Sequence, residues 1–432
     1  MIKLTKRLTL ISIFSLIQFL MLNTKKVHAQ TIDSVTLNDV NQWARSNYPL
    51  IRQLDLLKQT STLTIDNIQT ALKPQVNVNG QASYQSDVTT LPIKLPNVTI
   101  DPLSRDQYRF WTDISQLVYD GGVNKSQRNV QSIVLQTELQ KTEVELYKLK
   151  ERMLQLYMGI VLIDGKQTQV RLMINDILRG IKIVEAQVAN GVAYKSALAT
   201  LQAQQLQTEQ QLIELASNRA SLIQLLSLFT GKNFSSNLYV VIPQINNTTA
   251  GSIHRAELTL FKLQDSVLKQ QQSLIKAKNL PKASIFVQGG YGKPALNQLK
   301  NEFDFYYTTG IRLNWSLSGL YTAAREKHIL RLNQQQNTVQ QDLFLLKTQS
   351  ETIQFINDVN KYEQLIASDQ KIIALRNTVK EAAAAQLQNN VIVANDYLRE
   401  VSAEDQARNN LLIHQIQKLQ AQLNIIYTEG KL

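Results

Sequence analysis

The sequence predicts a mixed but mostly α protein, written twice, in which pairs of amphipathic strands alternate with very long helices. Three observations carry the prediction. An order of strand pair then long helix appears in the first half and returns about 200 residues later. Pro74 leads into 76–84 and then 108–122, and Pro281 leads into 283–291 and then 303–319. The strand segments alternate apolar and polar residues at period 2. The helical segments run on without proline and place apolar residues at 3–4 spacing. Neither copy has sequence to spare for covering its own strands, so the pattern points to part of a larger closed assembly.

Residues 1–29 read as a signal peptide. Lys3, Lys6 and Arg7 open it, an apolar run of 15 residues follows from Leu8 to Leu22, and Val27-His28-Ala29 offers a small-residue cleavage site before Gln30. That run is short for a membrane span; a retained anchor helix is the competing reading. The expectation is an exported chain. Removing the segment takes five positive residues and no acid with it, lowering the net charge from +12 to +7. Spread over the remaining chain, that charge forms no dense basic face, which argues against nucleic acid as a partner. There is no cysteine, so disulfides, cysteine-ligated metals and a lipidated cysteine are excluded. No later apolar run reaches membrane-helix length, so any membrane passage would be made by strands.

Residues 30–72 read as N-terminal helices, broken at Pro49, with Ile51, Leu54, Leu57, Leu63, Ile65 and Ile68 in the second. Residues 73–122 form a first β hairpin. Val76, Val78, Gly80, Ala82 and Tyr84 alternate with Asn77, Asn79, Gln81 and Ser83; 85–106, with Pro92, Pro96 and Pro102, is a loop. The return strand sets Phe110, Thr112, Ile114 and Val118 against Arg109, Asp113 and Ser115. Residues 123–230 are a first long helical hairpin. Its seam runs from Leu139 through Leu146, Met153, Ile160, Ile177 and Val184 to Val188, with 13 of 15 positions apolar. Roughly 66 residues of helix span about 100 Å, and Asn190-Gly191 stops it. Residues 231–252 are an irregular connector and 253–280 a helix. A second β hairpin occupies 281–319, with Ile285, Val287, Gly289 and Tyr291 on one face and a partner strand from Phe303 to Leu317. Residues 320–432 are the second long hairpin, turning at Asn389-Asn390, with a less regular seam through Val339, Leu343, Leu346 and Ile353.

Four strands of eight to fifteen residues match a tilted bilayer crossing. Aromatic residues placed near strand ends (Tyr84, Tyr108, Phe110, Trp111, Tyr291, Phe303, Phe305, Trp315) fit interfacial girdles. Four strands cannot close, and open edges are forbidden in hydrocarbon, so closure needs at least two chains; three would give 12 strands. A soluble half-buried sheet shows the same alternation. The hundred-ångström helices weigh against it, because no compact domain houses such rods beside a small sheet.

At these residues the chain resembles the TolC family of outer-membrane channel proteins over essentially its whole mature length. The resemblance rests on the strand end Tyr119-Asp120-Gly121-Gly122, its weaker counterpart Leu317-Ser318-Gly319, and the helix–helix tips Asn190-Gly191-Val192 and Asn389-Asn390-Val391. It implies a homotrimer with a 12-stranded transmembrane β-barrel, four strands per chain, embedded in outer-membrane lipid. A long periplasmic α-helical coiled-coil barrel would continue it. The tips would contact a periplasmic adaptor (membrane fusion) protein, and an inner-membrane pump of RND or ABC type would supply the energy. The family's Gly-x-Arg-x-x-x-Asp-x-x-Asp pattern falls on Asn390, Ile392, Asp396 and Arg399, so only the first Asp is kept. The equivalent Asp of the first copy falls at Ala197, and the inter-copy Arg–Asp latch of some members cannot form. One expectation is an entrance closed by packing around Tyr397 and pairing of Asp396 with Arg399; the other makes that pair an ordinary helical surface pair.

Catalytic and cofactor patterns are lacking. His254, His328 and His414 stand alone, Thr230-Gly231-Lys232 lacks the frame of a phosphate loop, and no nucleophile elbow occurs. Met153, Met158 and Met173 lie in the long helix and read as core rather than as a metal relay. The expectation is a passive exit duct of a tripartite efflux pump or type I secretion system, needing no cofactor and performing no catalysis. The alternative is an exported coiled-coil protein that binds partners without conducting.

Overall fold

The computed structural model describes residues 32–90, 102–245 and 251–432. The signal segment 1–29, with Pro92 and Pro96 of the first loop, lies outside the described residues. The described chain runs β1 (Ile32–Val35), α1 (Leu37–Asn47), α2 (Ile51–Thr70), β2 (Gln75–Tyr84), β3 (Asp106–Tyr119), α3 (Val123–Ala189) and α4 (Lys195–Thr230). It continues as β4 (Phe234–Val240), α5 (Ala256–Lys278), β5 (Lys282–Lys293), β6 (Asp304–Asn314), α6 (Leu320–Gln388) and α7 (Ala394–Thr428). It divides into two compact units, which share the long helices α3, α6 and α7 in sequence.

One unit comprises Tyr48–Arg152, Ile245–Lys371 and Ile413–Leu432. It holds a four-stranded antiparallel sheet in the order β2-β3-β5-β6. Each hairpin is one sequence copy, and β3 against β5 joins the copies. Arg255 anchors the helices beneath: its guanidinium pairs with Glu257 and lies over the rings of Tyr147 (4.7 Å) and Tyr427 (4.9 Å), which stack on each other. His414 is packed between helices, its Nδ1 2.6 Å from Asp369 Oδ2 and its ring against Tyr362. Along α6, however, Val339, Leu343, Leu346 and Ile353 are all exposed. The spacing is that of a seam, and among the described residues nothing covers it.

The second unit comprises the chain up to Asn47, Met153–Gln244 and Ile372–Leu412. Here the seam of α3 is buried in its own chain: Met153, Ile160, Ile177 and Val184 are each at most 1% exposed, and Met158 and Met173 are core residues too. Tyr397, Leu201, Ala383, Ala384 and Leu387 complete one cluster with Ile177 and Ile181. The connector expected to be irregular contains a strand. β4 pairs in parallel with β1, and both lie against α3, where the Tyr157 hydroxyl donates to the carbonyls of Val35 (3.1 Å) and Val241. Thr36 and Asp39 start α1 with a reciprocal cap, Asp39 N–H to Thr36 Oγ1 and Thr36 N–H to Asp39 Oδ2.

Candidate functional site: a one-sided sheet and two helix tips

Register sorts the sheet's side chains. Val78, Thr112, Gly289 and Tyr307 stand in one cross-strand row, and Val76, Ile114, Val287 and Thr309 in the next. The alternate rows carry Asn79, Trp111, Gly290 and Tyr306, then Asn77, Asp113, Gln288 and Thr308. The apolar face is the exposed one: Val78 is 62% exposed, Ile311 79% and Phe305 81%. Asn79, Asp113, Gln288 and Thr308 of the polar face are half-buried. A water-soluble sheet does the opposite, because leaving apolar area in water costs roughly 25 cal/mol per Å². Among the described residues nothing covers that face. The outer edges of β2 and β6 also lack a strand partner there. The strands have 10, 14, 12 and 11 residues, enough for a tilted bilayer crossing.

The aromatic residues divide differently from the sequence expectation. Tyr291 stacks with Phe303 (5.5 Å between centroids) and packs on Phe305 (4.6 Å), and Tyr108 meets Phe303 at 6.3 Å. These form a cluster at one end of the apolar face. Trp111 does not belong to it. Its register partners are Asn79 and Gly290, so it stands on the polar face in mid-strand. Trp315 follows β6 and donates from Nε1 to the Asn279 carbonyl at 3.1 Å.

The strand-to-helix junctions explain their own residues. The Asp120 carboxylate accepts from Gly122 N–H (2.8 Å) and Asn124 N–H (2.6 Å), capping α3. Gly121 has φ 70°, and a Cβ there would lie 2.7 Å from Leu280 Cβ and 2.8 Å from the Ala277 carbonyl, so only glycine fits. In the second copy Ser318 and Gly319 lead into α6, and a Cβ on Gly319 would strike Asn279 Oδ1. Ser126 N–H to Gly122 O and Ala323 N–H to Gly319 O are the equivalent helix-opening bonds, 3.0 and 3.1 Å.

The tips repeat atom for atom. Val192 N–H bonds to Gln187 O and Gly191 N–H to Val188 O; Val391 N–H bonds to Gln386 O and Asn390 N–H to Leu387 O. Each pair is a Schellman closure. Its left-handed residue is Gly191 (φ 77°) in one tip and Asn390 (φ 57°) in the other. Asn190 and Asn389 precede them, and the buried Gln187 amide donates to the Leu387 carbonyl, tying the tips together. Val192, Tyr194, Val391 and Val393 are exposed beyond the turns.

Asp396 and Arg399 face solvent, whereas Tyr397 between them is buried. Tyr397 is 1% exposed, and its hydroxyl donates to the Asp176 carbonyl at 2.8 Å. A Cβ on Gly180 would lie 2.5 Å from its ring. Burial pushes its phenol up to about 12. Its ring is packed in the core cluster of its own chain. Arg399 Nη1 is 3.4 Å from Asp396 Oδ1, and its Nε donates to Glu400 at 3.2 Å; the Arg399 side chain is 71% exposed.

No protein-family model matches the sequence, and a search of curated proteins finds no match. Solved structures do match. The outer membrane protein VceC of Vibrio cholerae superposes with a TM-score of 0.67 at 13% identity, covering 91% of this chain and 96% of that one. The Campylobacter jejuni outer membrane channel CmeC gives 0.66 at 12% identity, covering 91% and 85%. CusC, whose transmembrane channel formation has been described, gives 0.65 at 14%, covering 91% of each chain. The chain has the TolC-like fold.

Within this TolC-like fold, the tip region holds a charge cluster that the linear sequence conceals. Lys380, its side chain 8% exposed, is 2.7 Å from Asp176 Oδ2 and 3.6 Å from Glu404 Oε2. Glu404, also buried, binds Arg408. Arg179 and Glu381 add a more exposed bridge at 2.9 Å. Burial, reinforced by Glu404, pushes the neighbouring Asp405 carboxyl up to about 6. The members come from α3, α6 and α7, about 200 residues apart in sequence for Asp176 and Lys380, so no local spacing reveals them. Among the described residues no group of three or more His, Cys, Asp or Glu is placed to hold a metal ion, and no helix is long and apolar enough to cross a membrane.

Proposed function

We propose that the chain is an outer-membrane exit duct. Three copies close their four-stranded sheets into a 12-stranded barrel, and the long helices continue it as a tunnel into the periplasm. The duct passes cargo handed on by an inner-membrane pump, of RND or ABC type, through a periplasmic adaptor seated on the tips at Asn190, Gly191, Val192, Asn389, Asn390 and Val391. It performs no catalysis. The observation that carries this reading is the sheet itself, with its apolar face bare and both edges open, because lipid on one side and sister strands at the edges satisfy both at once. The exposed α6 seam supports assembly for the same reason. The TolC-like fold supports the channel role.

Extracted in detergent and added to planar bilayers, the full chain should produce stepwise ion conductance. Material that stays soluble without detergent and gives no steps would return the reading to an exported coiled-coil protein. At the entrance, Asp396 and Arg399 present three copies of each charge to a narrow aperture, where local charge controls ion passage. Asp396→Ala and Arg399→Asp should therefore change single-channel conductance; unaltered conductance and ion preference in both would leave an ordinary surface pair.

A further inference from the structure

We propose that the polar face of the sheet carries two binding stations for planar aromatic anions. One comprises Trp111 and Tyr306 with Arg109; the other is Phe286 with Arg312. The proposal rests on the duct reading for one point, that this face lines a water-filled bore.

Three aromatic rings stand on a face whose other side chains, Leu117 apart, are polar, and glycines make room for them. Gly290 lies between Trp111 and Tyr306 across the strands. A Cβ there would sit 2.7 Å from Trp111 Cβ and 2.9 Å from Tyr306 Cζ, so the glycine lets two aromatic side chains close over the backbone. Phe286 faces Gly310 in the same manner, where a Cβ would lie 3.2 Å from its ring. All three rings are half-buried against the sheet, so part of each aromatic face stays open to a flat ligand.

The Phe286 ring carries a guanidinium on its face, and the Trp111 rung has an arginine as its neighbour along the strand. The Arg312 carbon lies 4.5 Å from the Phe286 centroid, and Arg109 occupies the rung next to Trp111 on β3. Both arginines are exposed, and among the described residues neither makes an ion pair or a hydrogen bond. Asp113 is the one charged residue of the rung beyond Trp111, and Asp304, in Arg109's rung across Gly292, is approached by Lys300 at 3.9 Å. Closing the β6 edge against β2 of a sister chain would not neutralise Arg312. The polar side of β2 offers Asn77, Asn79, Gln81 and Ser83 and no carboxylate. A guanidinium stacked on a ring keeps its N–H edge free, and that edge fits a carboxylate or sulfonate in two parallel bonds. A ligand bearing such a group on a flat ring would stack and pair at once. Four residues along β3 separate Trp111 from Ser115, the partner of Phe286, so the stations lie about 13 Å apart. That spacing allows a cargo molecule to pass from one to the other.

The test uses the purified full-length protein in two measurements with pyrenetetrasulfonate as probe and ethanedisulfonate as the non-aromatic control. The expected results are probe binding to the detergent-solubilised protein, read by fluorescence anisotropy, and transient block of current in planar bilayers. Both should exceed those of the control. Arg312→Gln and Phe286→Ala should each weaken binding about tenfold, the loss of one charge-assisted or stacking contact. Trp111→Leu, which keeps an apolar residue in the strand, should act likewise at the other station. Equal action of the control, or unaltered binding by all three variants, would overturn the stations. Current without probe binding sinks the stations and keeps the duct; probe binding lost in the variants but unaccompanied by any current keeps the stations and sinks the duct.

Discussion

Asp405 shows how a single buried carboxylate sets a pH dependence. Its ordinary value of 3.8 is pushed to about 6, first by burial and then by Glu404. Between those values the folded chain holds a proton that the unfolded chain has released. This group's contribution is therefore most favourable below about 4 and is lost as pH rises through about 6. Asp405→Asn should accordingly stabilise the protein at pH 8, by on the order of 1 kcal/mol once partial exposure is allowed for. It should change little at pH 4. Thermal melts of both proteins at the two pH values check this, and an equal gain at both would exclude the titration. Gly121 shows steric control instead. Adding one carbon between Leu280 and Ala277 at a left-handed φ should cost roughly 1–3 kcal/mol. Gly121→Ala should melt lower than Gly122→Ala, because Gly122 shares the positive φ but has nothing within 4 Å of its added Cβ.

At the scale of elements, the helices and the four long strands were legible because each is a local pattern. Period 2 marks Gln75–Tyr84 and Lys282–Lys293, and the 3–4 seam marks Val123–Ala189. The strand Phe234–Val240 was not. Its sequence, FSSNLYV, has no clean alternation, and its partner Ile32–Val35 lies some 200 residues away. The side on which Trp111 falls needed the register. So did the Lys380 cluster, whose members meet only when α3, α6 and α7 are packed. Lys380→Ala should leave the half-buried Asp176 without its cation and Glu404 with Arg408 alone, costing about 1–3 kcal/mol. Hydrogen exchange should then show faster opening of residues 372–404 than in wild type; unaltered protection would mean that water already serves those carboxylates. The two tips make a matched pair of tests. Gly191→Ala should destabilise its turn by about 1 kcal/mol, whereas Asn390→Gly should be neutral or mildly stabilising.

At the scale of the whole molecule, one chain does not close the proposed barrel. It leaves an apolar sheet face, two strand edges and the seam at Val339, Leu343, Leu346 and Ile353 uncovered among its described residues. Placing a charge in that seam, as in Leu343→Lys with Leu346→Lys, should block assembly while leaving the helical content unchanged, since these side chains contribute nothing to the core of one chain. Sedimentation in detergent reads the first and circular dichroism the second. The four-strand count already points to the partner copies of the proposed duct; it does not fix their number, because open edges and seams carry no count of the copies that would cover them.

In the proposed barrel β2 of one chain pairs with β6 of the next, and a sequence without cysteine lets introduced cysteine pairs report that seam. β3 and β5 stand between those two strands within a chain, so cysteine pairs scanned along the β2 and β6 edges should cross-link only between chains. Mild oxidation in native membranes should yield covalent trimers at one register of the scan. Monomer alone at every register would contradict the barrel, and with it the duct.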